Sequence, residues 1–194
     1  MIALDGSKKI SIAVFISGKG SNFKSLYKFS KKKNSKFKIN LVLSNNINAG
    51  GLKFARKRKI KNEIINYKNI NLAENKILYI LKKNNIQLIC LAGFMRILSK
   101  KFLKKFKGSV LNIHPSLLPR YKGLNTHIKV IQNRDKYSGC TVHYVNSKLD
   151  SGKIILQKKV RVYKRDNPKS LAKRVLSQEH ILYPKALNKI LINT

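Results

Sequence analysis

Apolar positions in this chain come in two rhythms that alternate along its length. Ile10-Ser-Ile-Ala-Val-Phe-Ile16 is apolar at nearly every position, as a strand covered on both faces must be. A helix is predicted from Asn22 to about Lys33, a second strand over Phe37 to Leu43, and a short basic helix over Gly51 to Lys59. Glu63 to Tyr67 reads as a weaker third strand. Leu72, Ile77, Leu78 and Leu81 then form the apolar stripe of a helix that ends near Asn84-Asn85. Gln87-Leu-Ile-Cys-Leu-Ala92 is a fourth strand without alternation, and Val110 to Ile113 a fifth. Strands that alternate with helices in this way predict an α/β fold, a doubly wound and mostly parallel sheet with right-handed crossovers.

Past His114 the rhythm changes. One more helix is predicted from Thr126 to about Asn133, followed by two strands, Gly139 to Val145 and Lys153 to Val162. The link between them, Asn146 to Gly152, is short enough for an antiparallel pair, so the C-terminal half should make the sheet mixed. A long last helix should start at Asn167-Pro168, with Asn167 as its cap and Pro168 in the first helical position. No repeat, linker or break in composition interrupts residues 1–194, and one domain is expected, a nucleotide-binding-like half over about 9–113 followed by a second half over 114–194.

Composition supports a globular chain: 43% of residues are apolar, yet no apolar run approaches the roughly 18 residues of a spanning helix, so no membrane partner is expected. Lys8-Lys9 before the first strand imitates a signal peptide, but Ser17-Gly-Lys-Gly-Ser21 stands where a cleavage site would have to be. A cytoplasmic protein is expected. Cys90 and Cys140 sit inside apolar runs without a Cys-x-x-Cys spacing, as buried free thiols would. The charge is extreme, 43 Lys and Arg against 7 Asp and Glu, for a formal +36. The bases are spread over the whole chain without an aromatic-interleaved stripe or an Arg-rich arm, so any nucleic-acid partner is expected to be non-specific at most.

Three constellations carry chemistry. In Val110-Leu-Asn-Ile-His-Pro-Ser-Leu-Leu-Pro119, Asn112 and His114 are two apart and share a strand face, and Pro115 ends the strand just behind them. Asp150, in Lys148-Leu-Asp-Ser-Gly152, lies in the turn between the two late strands; either it is a simple turn former, or it reaches His114, orients the ring and favours its imidazolium. With no nucleophile elbow and no Cys beside a His, the set fits acyl transfer to an amine carried by the substrate, Asn112 offering an N–H to the oxyanion. Second, Ser17-Gly-Lys-Gly-Ser-Asn22 follows a strand and opens a helix, a place for an anion; Phe23 stands at the third glycine of the dinucleotide fingerprint, so a single phosphate fits better than NAD or ATP. Third, Glu179 shares the apolar helix face of Leu171, Val175 and Leu182, where a carboxylate needs a lysine or a ligand hydroxyl. His114, His127, His143 and His180 lack metal-ligand spacing, and no metal is expected.

Gly18-Lys-Gly-Ser-Asn22, Leu91-Ala-Gly-Phe-Met-Arg-Ile-Leu98, Leu111-Asn-Ile-His-Pro-Ser-Leu-Leu-Pro119, Gly139-Cys-Thr-Val-His143, Leu149-Asp-Ser-Gly152 and Gln178-Glu-His180 occur in one order and spacing. In these motifs, from about Lys9 to Leu191, the chain resembles the phosphoribosylglycinamide formyltransferases, a branch of the folate-dependent formyltransferase family. The resemblance implies a Rossmann-like formyltransferase fold whose second half carries folate binding and catalysis. It implies Asn112, His114 and Asp150 as the catalytic trio, with protonated His114 helping to stabilise an oxyanion. Gly20, Ser21, Asn22 and Phe23 would lie at the ribonucleotide phosphate, and Glu179 at its ribose hydroxyls. Met95, Arg96, Ile97 and Leu98 would line the folate pocket, with Asn112, Asn146 and Asp150 on the other wall. The implied partners are small molecules, 10-formyltetrahydrofolate as co-substrate and 5-phosphoribosylglycinamide, and the assembly a monomer or homodimer.

The chain departs from that pattern in two places. Asn69-Ile-Asn71, with only Lys68 near, stands where a basic residue often steadies the folate tail, and Lys122-Gly-Leu-Asn125 replaces the commoner Pro-Gly-Leu-His loop. A formyltetrahydrofolate deformylase should lack the phosphate turn, and a methionyl-tRNA formyltransferase should carry a further tRNA-binding module. A basic nucleic-acid-binding protein would leave Asn112, His114 and Asp150 without a task.

Overall fold

The computed structural model describes residues 9–192, so Lys8 of the basic pair lies outside the described residues. The elements are β1 (Ile10–Ile16), α1 (Ser21–Ser30), β2 (Phe37–Ser44), α2 (Gly50–Lys57), β3 (Lys61–Ile64), α3 (Ile70–Lys83), β4 (Leu88–Leu91), α4 (Lys100–Lys105), β5 (Ser109–His114), α5 (Thr126–Gln132), β6 (Tyr137–Tyr144), β7 (Ile154–Arg161) and α6 (Pro168–Ile192). One sheet takes all seven strands in the order β3-β2-β1-β4-β5-β6-β7. β1 to β5 pair in parallel, while β5 with β6 and β6 with β7 pair antiparallel, so the expected mixed sheet is found.

The period of two in each strand sorts its side chains between two cores. Ile10, Ile12, Val14 and Ile16 of β1 join Leu111 and Ile113 of β5 and the apolar faces of α1 and α6. Ala13 and Phe15 point the other way, to Ile77 and Leu81 of α3 and Phe102 of α4. Both faces are therefore covered, which is why β1 and β4 read as continuous apolar runs. The chain leaves β1 toward β2 and β3, then crosses back to place β4 on the other side of β1. That reversal between β1 and β4 is a topological switch point, and at the C-terminal ends of such strands open α/β sheets hold ligands.

Two expectations shift. The third strand is Lys61–Ile64 rather than 63–67, because its partner β2 ends at Ser44, opposite Ile64. Helix α4 was not expected: its Lys-rich sequence has one apolar turn, and what starts it is Ser99, whose Oγ accepts the Phe102 N–H at 3.0 Å. Buried Glu74 of α3 holds Ser99 in turn, accepting its N–H at 2.7 Å and its hydroxyl. The cap at Asn167 is as expected, its Oδ1 accepting the N–H groups of Lys169 and Ser170 at 3.0 Å.

Candidate active site

On β5, Leu111 and Ile113 face the α1/α6 core, so Asn112 and His114 share the opposite face with Val110. The loop after β5 closes over that face, its Tyr121 carbonyl reaching His114 and its Gly123 N–H reaching Asp150. The antiparallel pairing sets Asn112 opposite His143 of β6 and His114 opposite Thr141. Asn112 Nδ2 lies 3.3 Å from His143 Nε2. Asp150 comes from the β6–β7 connection and sits between the two rings, Oδ2 at 3.3 Å from His114 Nδ1 and Oδ1 at 3.6 Å from His143 Nε2. Gly152 makes this approach possible: a Cβ there would stand 1.7 Å from the Tyr144 carbonyl oxygen. Asp150 itself holds φ 44°, the left-handed region, and is pinned there by the Gly123 N–H at 2.9 Å.

The protons follow from the partners. A carbonyl oxygen only accepts, so His114 donates from Nε2 to Tyr121 O at 2.7 Å, and His143 donates from Nδ1 to Tyr144 O at 2.8 Å. The remaining nitrogen of each ring is turned toward Asp150. Burial pushes the His114 pKa below its ordinary value, while the Tyr121 carbonyl and the Asp150 charge pull against that and do not cancel it. This corrects the expectation that Asp150 would leave the ring an imidazolium: the carboxylate is present, but desolvation outweighs it. For Asp150 burial favours the neutral acid, yet the His143 contact, the Gly123 N–H and the two rings win, and its pKa is lowered. The pair is buried as well as close; the side chains of His114 and Asp150 are 6% and 7% exposed.

Beside this cluster, the turn from Ser17 to Gly20 delivers the N-terminus of α1. Gly20 holds φ 70° as the cap, no side chain caps the helix, and its first turn has no acid, so positive dipole and N–H groups are offered to an anion. A Cβ on Gly20 would come within 2.9 Å of Gly51 Cα, at the start of α2, so the two helix starts meet through glycine alone. Ser21 and Asn22 stand in the first turn of α1. Asn22 Nδ2 donates to Glu179 Oε2 at 2.6 Å, and Asn22 Oδ1 is buried without a partner. Glu179 therefore has a side-chain amide for its partner, where a lysine or a ligand hydroxyl was expected; burial raises its pKa, with the Asn22 bond acting against that. Phe23 differs from its expected part: its ring is fully buried and meets Phe54 edge-on at 5.4 Å, leaving only its backbone to face a ligand.

The 93–98 loop lies next to the turn. Ser17 joins them, its N–H reaching Gly93 O at 3.1 Å and its Oγ accepting the Met95 N–H at 2.7 Å. Met95 and Ile97 are exposed, Arg96 lies over the Tyr67 ring at 5.8 Å, and Leu98 is buried in the α3/α4 core. Asn146 starts the β6–β7 connection, its Oδ1 accepting the Lys148 N–H at 2.9 Å. Asn69, which stands where relatives often carry a tail-binding base, caps α3 by accepting the Leu72 N–H at 3.1 Å. The motifs hold His143 and Ser17 without giving them a role; the β5–β6 register and the loop contact that do so join residues far apart in the chain. Among the described residues no cluster of His, Cys, Asp and Glu is arranged to hold a metal ion.

A carboxylate between two imidazoles at the sheet's switch point, with an uncapped helix start on the same edge, fits a group-transfer enzyme. A family described as Formyl transferase matches residues 10–187, and the chain belongs to that family. Within it, the relatives carry a narrower name. The phosphoribosylglycinamide formyltransferase of Escherichia coli is 37% identical over 182 residues, covering 92% of this chain and 86% of that protein. The human trifunctional purine biosynthetic protein adenosine-3 is 42% identical over 190 residues, 96% of this chain; the chain spans only 19% of that protein's length. Among solved structures, phosphoribosylglycinamide formyltransferase from Anaplasma phagocytophilum superposes with a TM-score of 0.90 at 40% identity, over 96% of this chain and 88% of that one. The fold and the resemblance expected from the motifs are both borne out.

Proposed function

We propose that this chain transfers the formyl group of 10-formyltetrahydrofolate to the amine of 5-phosphoribosylglycinamide, a step of purine biosynthesis. The observation that carries the reading is the Asp150 carboxylate set between His114 and His143, with the Asn112 amide beside them. The free amine attacks the formyl carbon, a C–N bond forms, and the carbonyl electron pair moves onto oxygen. Asn112 Nδ2–H donates to that oxyanion. The attacking nitrogen's proton passes to His114 Nδ1, and the resulting imidazolium is held between the Tyr121 carbonyl and Asp150. When the tetrahedral intermediate collapses, the bond to the folate nitrogen breaks and that nitrogen takes the proton. A ring kept neutral by burial is suited to be base first and acid second.

The surroundings fit the two substrates. The α1 N-terminus at Gly20, Ser21 and Asn22 takes the phosphate, and Phe23 contributes backbone alone. Glu179 and the free Asn22 Oδ1 are acceptors for ribose hydroxyls. The folate lies against Met95, Arg96, Ile97 and Leu98 on one side and Asn112, Asn146 and Asp150 on the other, with Leu98 acting through its backbone.

The test is release of tetrahydrofolate from 10-formyltetrahydrofolate with and without the ribonucleotide. Turnover is expected only when the ribonucleotide is present and is lost in Asp150→Asn. Equal turnover without it would make water the acceptor and the chain a deformylase; no turnover in either case would overturn the reading.

A further inference from the structure

The fold leaves its positive charge almost unopposed. Of the seven acids, Asp5 lies outside the described residues, Glu74, Asp150 and Glu179 are engaged inside, and Asp135 and Asp166 face Arg120 and Arg174. Glu63 of β3 is what remains. At the sheet edge opposite the active-site cluster, where β1, β2 and β4 begin, an open cleft of about 1290 Å³ passes the last turns of α3 and α4. It continues into a second of about 610 Å³ beside α1 and β3, since Lys9, Lys38, Asn40 and Asn84 line both. Five lysines line the first part and six Lys or Arg the second, with no Asp or Glu in either.

Helix polarity explains part of this. Lys82 and Lys105 lie in the last turns of α3 and α4, where a cation meets the negative end of the dipole. Lys9 reaches the end of α1 in the same way, its Nζ donating to Ser30 O at 3.3 Å and Lys32 O at 3.4 Å, and Lys107 follows the cap of α4, whereas Lys38, in the middle of the groove on β2, is at no helix end. A single phosphate would engage two or three of these cations; a row of them along one groove matches a ligand whose charge repeats. The lining also includes Tyr27, with Lys31 Nζ 5.2 Å and the Arg58 guanidinium 5.7 Å from its ring centroid, and Asn40 and Asn84, whose amides donate to Ser11 Oγ and Ile80 O. An aromatic ring among cations suits a base stacked beside a phosphate backbone. This stripe is invisible along the chain, because Tyr27 lies in α1 while Arg58 and Asn84 cap the ends of α2 and α3.

We propose that this groove binds single-stranded nucleic acid without sequence preference, independently of the formyl-transfer site. The test is fluorescence anisotropy of a labelled oligouridine of about 20 nucleotides against the full chain over a range of salt. Lys38, Lys82, Lys105 and Lys107, all exposed, are changed together to Gln. The control changes Lys153, Lys159, Lys169 and Lys173, exposed on β7, α6 and the connection before β7. Thermal midpoints verify that both variants fold. At about 0.7 counterions released per phosphate on a single strand, the groove variant's salt slope should drop by about 3, with affinity down about tenfold or more. The control should lose about threefold or less. Equal losses in the two variants would reduce the groove to diffuse charge and overturn the proposal. So would no binding by the unmodified chain, or loss in the groove variant of binding to anionic phospholipid vesicles while the oligonucleotide is not bound at all.

Discussion

The two edges of this sheet use charge in opposite ways. At the C-terminal ends of β1, β4 and β5 the ionisable groups are few, buried and within about a hydrogen bond of one another: Asp150 between two histidines, Glu179 on Asn22. At the N-terminal ends they are many, exposed and of one sign. Burial raises the strength of each interaction and the cost of each unpaired group, so at the first edge single atoms matter. In water the same Coulomb terms are screened to well under a kilocalorie, and only their sum is felt. The lesson is that this chain's charge count describes its field, while the proposed chemistry rests on the few acids that are out of sight.

Substitutions sharpen that contrast. Asp150→Asn should cost formyl transfer the most, about 10³-fold in kcat, because both imidazoles lose their carboxylate together. Asn112→Ala should follow at about 10² to 10³-fold in kcat with substrate KM values nearly unchanged, as expected for a contact made to the oxyanion. A large KM effect instead would move Asn112 to substrate binding. Glu179→Gln should raise the ribonucleotide KM about tenfold or more, the worth of a hydrogen bond to a charged group.

That last variant also separates function from stability. Its folded pKa is raised above 4.5, so this carboxylate favours the native state at pH below 4.5 and loses that contribution as pH rises through its folded value. At neutral pH Glu179→Gln should therefore melt at or above the unmodified protein, and the difference should shrink on acidification. A lower melting temperature at pH 7 would make Glu179 a structural residue. His114, His127 and His180 give the opposite sign, since burial lowers all three from 6.5. The unfolded rings take up protons as pH falls through 6.5 while the folded ones resist, so stability should drop from pH 6.5 downward. Urea midpoints on either side of pH 6.5 measure it, and His114→Gln should flatten the dependence.

Smaller effects lie farther from the cluster. Gly20→Ala should cost about 1 to 2 kcal/mol through its left-handed φ, plus whatever the Gly51 contact adds, read as a shifted urea midpoint. The four-lysine change at the N-terminal edge should alter kcat by less than about twofold and stability by about 0.5 kcal/mol or less, the scale of solvated surface charges. A larger loss of turnover would mean that the two edges are coupled.

Much of this arrangement is legible along the chain. β1 and β4 announce themselves as unbroken apolar runs because both faces are covered, and the last helix because Asn167 and Pro168 mark its start. Asn112 and His114 are readable as a pair because the two-residue strand period is local. Helix α4 escapes that reading, since its cap is completed by Glu74, which lies 25 residues upstream of Ser99. His143 escapes it as well, because its place opposite Asn112 is a property of register between strands 31 residues apart.

Residue types and their spacing were enough to specify the α/β order, the switch to antiparallel pairing, the glycine turn that opens α1 and the motifs that mark the family, because each of these is written in contacts of a few residues. Protonation was not. That His114 is neutral, that Asp150 stays ionised between two rings, that Glu179 rests on an amide and that scattered lysines line one groove are decided by burial and by distances between segments far apart in sequence, and those exist only once the sheet has formed.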